Sequence, residues 1–155
     1  MHLLDLGITK YLLEFTRSYL QYNVGTEAIK QMDLRLGTIP RYPGLIIIKN
    51  GLENVSRFTA NNYRNIMKVI IFVIDNLYTE YREGGIPCER LCSIFHKYLK
   101  MYMVLRQESF TDVDLEELEV IITHSLVYSE YSSYTLNYFL EIDNRLLPRV
   151  CRYIL

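Results

Sequence analysis

Apolar residues recur at helical spacing through most of the chain. Leu4, Ile8, Leu12, Phe15 and Tyr19 fall three or four positions apart, which predicts an amphipathic helix over Leu3 to about Tyr22. Gly7 weakens its first turns by up to about 1 kcal/mol relative to alanine, and Gly25 is a stop signal. Thr26 can cap a second helix running to about Leu36, with Gly37 placed where a left-handed residue ends a helix. The segment TIPRYPGLIIIKNG, residues 38–51, holds two prolines and two glycines and reads as a non-helical connection. Within it Pro40 and Pro43 bias Ile39 and Tyr42 toward extended backbone. The four apolar residues of LIII fit a short strand or an ordered segment packed on helices, and spacing does not separate the two.

The strongest helical signal is FTANNYRNIMKVIIFVIDNLY. Thr59 suits its N-cap. Ile66, Ile70, Val73 and Leu77 form one stripe, and Met67, Ile71, Ile74 and Tyr78 form a second beside it. With Val69 and Phe72 between them, the pattern predicts a central helix that is apolar all round. REGGIP then breaks the chain, with Gly84–Gly85 as a turn. Pro87 suits the first turn of a helix reaching about Gln107, with Leu91, Ile94, Phe95, Tyr98, Leu99 and Tyr102 inward. Thr111 and Asp114 make a Thr-x-x-Asp start for a fifth helix striped by Leu115, Leu118, Ile121, Ile122 and Leu126. SEYSSYT marks a break, Leu136 to Leu147 a last helix ended by Pro148, and PRVCRYIL a further apolar segment. The expectation is an all-α fold, an irregular bundle of about six helices around the Pro/Gly-rich connection at 38–51.

Composition narrows the class. A chain of 155 residues predicts a single domain, here spanning residues 1–155. Half of its residues are hydrophobic and mean hydropathy is +0.02, enough for a core and unlike a disordered chain. The longest strongly apolar run, Val69–Ile74, is far short of the roughly 20 residues that cross a bilayer, so no membrane span is expected. Asp5 and the lack of a basic lead make the N-terminal run a poor signal peptide. Three cysteines, Cys88, Cys92 and Cys151, are too few and odd in number for a disulfide framework, which predicts reduced thiols in an intracellular compartment, nuclear or cytoplasmic. The 14 tyrosines, with no tryptophan, carry no functional signal.

Charge is uneven although the net is −1. Arg41, Lys49, Arg57, Arg64 and Lys68 face Glu53 alone between positions 41 and 68, which reads either as ordinary surface or as a phosphate-contacting face. Glu108, Asp112, Asp114, Glu116, Glu117 and Glu119 suit a solvated helix start, where negative charge is favoured. Asp112 and Glu116 could share a cation, but no third ligand accompanies them. Cys88, Cys92 and His96 repeat every fourth residue, a spacing that fits core packing better than a closed zinc tetrahedron. His124 reads as a packed mid-helix residue. No phosphate-cradling glycine loop and no nucleophile–base arrangement is legible in the sequence.

Three stretches carry a family likeness: IPRYPGL, FTANNYRNIMKVIIFVIDNLY and YLKMYMVLRQESFTDVDLEELE. In order and spacing they resemble DDE-type transposases of the Plavaka and CACTA-like groups. In that family a D.R...(I/V)P.(F/Y)PGL segment precedes (W/F)T..D.(K/R)..MKV, and R....(T/S)..DL..L follows. The matching residues are Asp33, Arg35, Ile39, Pro40, Tyr42, Pro43, Gly44 and Leu45; then Phe58, Thr59, Arg64, Met67, Lys68 and Val69; then Arg106, Thr111, Asp114, Leu115 and Leu118. The match runs over residues 1–150.

The resemblance implies an RNase H-like enzyme in which three carboxylates hold two divalent metals. His2 and Gly7 match the His and Gly that follow the second carboxylate, which would itself fall before residue 1. The third would follow the segment that Leu147–Pro148–Arg149 begins, and Asp5 lies on the wrong side of His2 to substitute. The resemblance therefore implies a truncated transposase fragment, chiefly the helical insertion between two carboxylates, with no catalytic residues and no cofactor of its own. Divalent metal belongs to the intact family. Residual DNA contact would fall to Arg41, Lys49, Arg57, Arg64 and Lys68, and self-association to an exposed apolar face. The alternatives are a helical protein-interaction module, or a metal-binding or enzymatic domain built on Cys88, Cys92 and His96.

Overall fold

The structure is a computed structural model and describes residues 3–45, 48, 51–109 and 111–127. Six α-helices and no strand occur among them: α1 Lys10–Tyr19, α2 Thr26–Thr38, α3 Ala60–Met67, α4 Ile70–Ile74, α5 Cys88–Val104 and α6 Asp112–Val127. The fold is all-α. The chain divides inside α5 into two compact units, Met1–His96 and Lys97–Leu155. The SEYSSYT break, the helix read at Leu136–Leu147 and the PRVCRYIL segment lie outside the described residues. So do Ile46 and Ile47 of LIII.

In the first unit, the N-terminal stripe forms one helical rod. Leu3–Thr9 and Leu20–Val24 are π-helical turns on either side of α1. The rod ends at Gly25, whose φ of 118° no L side chain adopts readily. Gly25 is also the N-cap of α2, so Thr26 is the first helical residue and caps nothing. Gly37 lies inside α2 rather than ending it. The stop comes two residues later at Ile39, extended at φ −56° and ψ 131°, because Pro40 excludes helical backbone from the residue before it. Leu12, Leu13 and Tyr19 of α1 are buried in the core with Ile29, Met32 and Leu36 of α2.

The central helix read over 59–78 is two helices. Thr59 caps α3 as expected: its hydroxyl accepts from the Asn62 N–H, while Asn62 Oδ1 accepts from the Thr59 N–H. At Lys68–Val69 the ladder tightens, with Val69 N–H donating to Ile66 O at 2.9 Å and Phe72 N–H to Val69 O at 3.0 Å. The run is β-branched at Val69, Ile70, Ile71, Val73 and Ile74, which lowers helix propensity. The break lets Ile66, Met67, Val69, Ile70, Val73 and Ile74 all be buried, while Phe72 is turned out at 76% exposure. The helix is therefore not covered on every side. It ends at Ile74; Asn76 takes a left-handed φ of 46°, and Leu77 and Tyr78 are buried without being helical.

The loop after Tyr78 is pinned to the N-terminal rod. Tyr19 and Tyr78 hydroxyls both donate to Ile86 O, at 3.0 and 2.9 Å, and Ile86 N–H donates to the Tyr19 oxygen at 2.7 Å. Burial pushes the pKa of both phenols up. Arg82 N–H bonds Asn23 O at 2.9 Å, and its guanidinium lies 4.8 Å from the Tyr22 ring centre. Pro87 precedes α5 by one residue, and its carbonyl accepts the Leu91 N–H. In the second unit, α5 ends at Val104, three residues short of Gln107. Tyr98, Met101, Tyr102 and Leu118 are buried, and Arg106 donates to the Tyr102 hydroxyl at 2.9 Å. Thr111 and Asp114 form the anticipated start of α6, Asp114 accepting from the Thr111 N–H and hydroxyl. Those two bonds hold the Asp114 carboxyl below its usual pKa.

Candidate functional site

Four of the residues that carry the transposase resemblance, Asp33, Arg35, Gly44 and Lys68, sit at three fastenings in the first unit. Asp33, on α2, accepts both of its oxygens' bonds from Arg17 Nη1, each at 3.1 Å, and a third from Leu52 N–H at 2.8 Å. The carboxylate thereby ties α1 and the chain at Leu52 to α2. Gly51 is left-handed at φ 62°, and a Cβ there would fall 2.3–2.5 Å from Asp33 side-chain atoms. Glycine is needed at 51 on both counts.

Two residues on, Arg35 grips the far end of α4. Its Nη1 donates to Val73 O at 3.3 Å and to Asp75 O, and its Nη2 donates to Asn76 O at 3.1 Å. The last carbonyls of a helix have no partners within it and carry partial negative charge, which a cation satisfies. The planar fork serves three acceptors at once, which a lysine ammonium would not do in this geometry.

The IPRYPGL motif makes a tight turn over Tyr42–Leu45. Pro43 sets the second position, Gly44 takes φ 82° at the third, and Leu45 N–H closes on Tyr42 O at 3.1 Å. These are the residues that a type II turn requires. Lys68, exposed at the α3–α4 junction, donates from Nζ to Gly44 O at 3.4 Å. Beside the turn, Leu36, Ile39, Leu45, Ile48, Asn65, Ile66 and Val69 line a cavity of about 10 Å³, the size of a single water. It is no pocket for a substrate.

The anticipated basic residues have different surroundings. Arg41, Arg57 and Lys68 are exposed. Arg64 instead donates from Nε to Asp5 at 2.8 Å, and Asp5 is 1% exposed. Sequence reading missed this pair, although an acid inside the apolar run LLDLGIT was its signal. Met67 is buried, Pro40 is exposed and Gly7 lies half-buried in the first π-helical turns. His2 and Lys49 lie outside the described residues, as does Cys151.

Cys88, Cys92 and His96 do not converge on a metal site. Cys88 is buried, donating to Ile74 O at 3.2 Å and accepting from Leu77 N–H at 3.3 Å, so its sulfur serves the backbone where α4 ends. Cys92 is half-buried, and burial, with Cys88 alongside, pushes its thiol up to about 11. His96 is exposed. Among the described residues no three His, Cys, Asp or Glu side chains are grouped to hold a metal ion, Asp112 and Glu116 included. The side chain of His124 is outside the described set. No described helix is long and apolar enough to cross a membrane.

No protein-family model matches the chain, no curated protein matches it, and no solved structure matches it.

Proposed function

We propose that this chain is a transposase-type helical scaffold, akin to the insertion between metal-binding carboxylates. On this reading it performs no phosphodiester chemistry itself and touches DNA weakly through Arg41, Arg57 and Lys68. One observation supports it above others: residues matching the family motifs do connected structural work. Asp33 receives Leu52, Arg35 receives the end of α4, and Gly44 receives Lys68 across 24 positions. Exposed cations supply the sequence-independent attraction to phosphates that such contact needs. The reading carries an intracellular location, nuclear or cytoplasmic.

The test has two arms. Purified chain incubated with supercoiled plasmid and Mg²⁺ or Mn²⁺ is expected to leave it uncut; metal-dependent nicking that copurifies with the chain overturns the non-catalytic assignment. Binding to a short duplex is expected to weaken as salt rises from about 50 to about 200 mM, and to weaken further in Arg41→Gln, Arg57→Gln and Lys68→Gln. Salt-insensitive or absent binding overturns the DNA contact.

A second reading, a self-associating or protein-binding helical module, is favoured by α6. Val113 and Val120, seven residues apart and so on one helical face, are 70% and 55% exposed. A solution mass equal to one chain at every concentration tried would remove self-association.

A further inference from the structure

We propose that the Tyr42–Leu45 turn and the α3–α4 junction together form a platform for single-stranded DNA. Bases stack on Phe72 and Tyr42 while Arg41 and Lys68 hold the phosphates. The proposal rests on the DNA-contact reading above and names the substrate class of that surface.

Four observations carry it. Phe72, at 76%, is the most exposed of the large apolar side chains described, and Tyr42 is also exposed. Phe72 stands on a firm base: Ile70, Val73 and Ile74 of the same short helix are buried, and Arg35 holds the carbonyls at its end. Lys68, one turn before Phe72, bonds Gly44 O and so places an ammonium beside the turn that follows Arg41 and Tyr42. Along the chain, Glu53 is the lone acid between positions 41 and 68, and Asp75, exposed three residues after Phe72, is a second acid at the α4 end of the surface. Rings in water beside cations match an unpaired strand, which offers base faces and phosphates together. A duplex hides its base faces in the stack and would leave both rings unused. An apolar protein partner fits less well, because interface centres are depleted of charge.

The experiment is fluorescence anisotropy of a labelled oligothymidylate and a duplex of equal length with the full chain. The single strand is expected to bind at least about fivefold tighter, the lower end of what one stacked base supplies. Phe72→Ala and Tyr42→Ala are expected to remove that preference while leaving duplex binding in place; both side chains are exposed, so the fold does not depend on them. Lys68→Gln is expected to weaken both ligands, and Leu34→Ala, an exposed change on α2, neither. Equal or tighter binding to the duplex, or undiminished single-strand binding by Phe72→Ala, overturns the platform and leaves the DNA-contact reading standing. Binding to neither ligand overturns both.

Discussion

Replacing Gly51 with alanine is a sharp test of the Asp33 fastening. The new Cβ would sit 2.3–2.5 Å from the Asp33 side chain, too close for any real contact, and the backbone there is left-handed at φ 62°. Left-handed backbone costs an alanine about 1–2 kcal/mol. The clash also drives the carboxylate away from Arg17 and from Leu52 N–H, which it meets at 3.1 and 2.8 Å. Hydrogen bonds to a charged group contribute about 1.5–3 kcal/mol, and the lower end applies because both side chains are about one-quarter exposed. Together the loss is about 2.5–3.5 kcal/mol. Urea unfolding followed by tyrosine fluorescence measures it. Placing Gly51→Ala in an Asp33→Ala background separates the two parts: with no carboxylate to strike, the added cost should fall to the backbone part alone, about 1–2 kcal/mol. A Gly51→Ala chain as stable as the parent, or an equal cost in both backgrounds, would refute the reasoning.

Three other outcomes follow from the geometry. Tyr63 is fully buried, its hydroxyl donates to Val55 O, and burial pushes its pKa up to about 12, so folding keeps its proton beyond the ordinary value of 10. Stability from this group is whole below pH 10 and is lost as pH rises toward 12, by up to about 2–3 kcal/mol; denaturation curves of Tyr63→Phe should fall less steeply over that window. Arg64→Ala should cost about 2–4 kcal/mol in thermal or urea unfolding, since it removes the guanidinium from a buried carboxylate, whereas Arg57→Ala on the open surface should stay within about 0.5 kcal/mol; equal effects would place the two arginines in the same environment. Cys92, with its thiol at about 11, should alkylate slowly at neutral pH, carrying about a hundredfold less thiolate than an ordinary cysteine; peptide mapping after a timed iodoacetamide pulse reads the rate.

Local signals were legible in the sequence because they depend on near neighbours. Gly25 as a stop, Thr59 as a cap and Thr111 with Asp114 as a helix start each express backbone preferences spanning about four residues. The split at Lys68–Val69 was hidden for a physical reason: a run apolar on every face gives no helical phase, so nothing in it marks where the phase resets. Gly37 misled because the proline three residues later, not the glycine, sets where α2 ends. Partners across the fold were also out of reach. Asp5 advertised a buried charge, yet Arg64 is 59 positions away. Cys88 read as core, and its sulfur is indeed buried, but its role at the end of α4 depends on a helix terminus that the pattern did not show. The candidate basic face divided for the same reason, Arg64 being bound to a buried acid beyond sequence reach while Arg41, Arg57 and Lys68 stayed exposed.

The grip of Arg35 has an implication for how this chain tolerates change. All three of its acceptors are main-chain carbonyls, at Val73, Asp75 and Asn76. Main-chain oxygens are offered by every amino acid, so mutation at position 75 leaves that contact chemically intact, while any mutation at 35 dissolves the whole set. Drift along this polypeptide should therefore be lopsided, with one partner frozen and the other at liberty, and a pairwise search for compensating substitutions would pass over this tie.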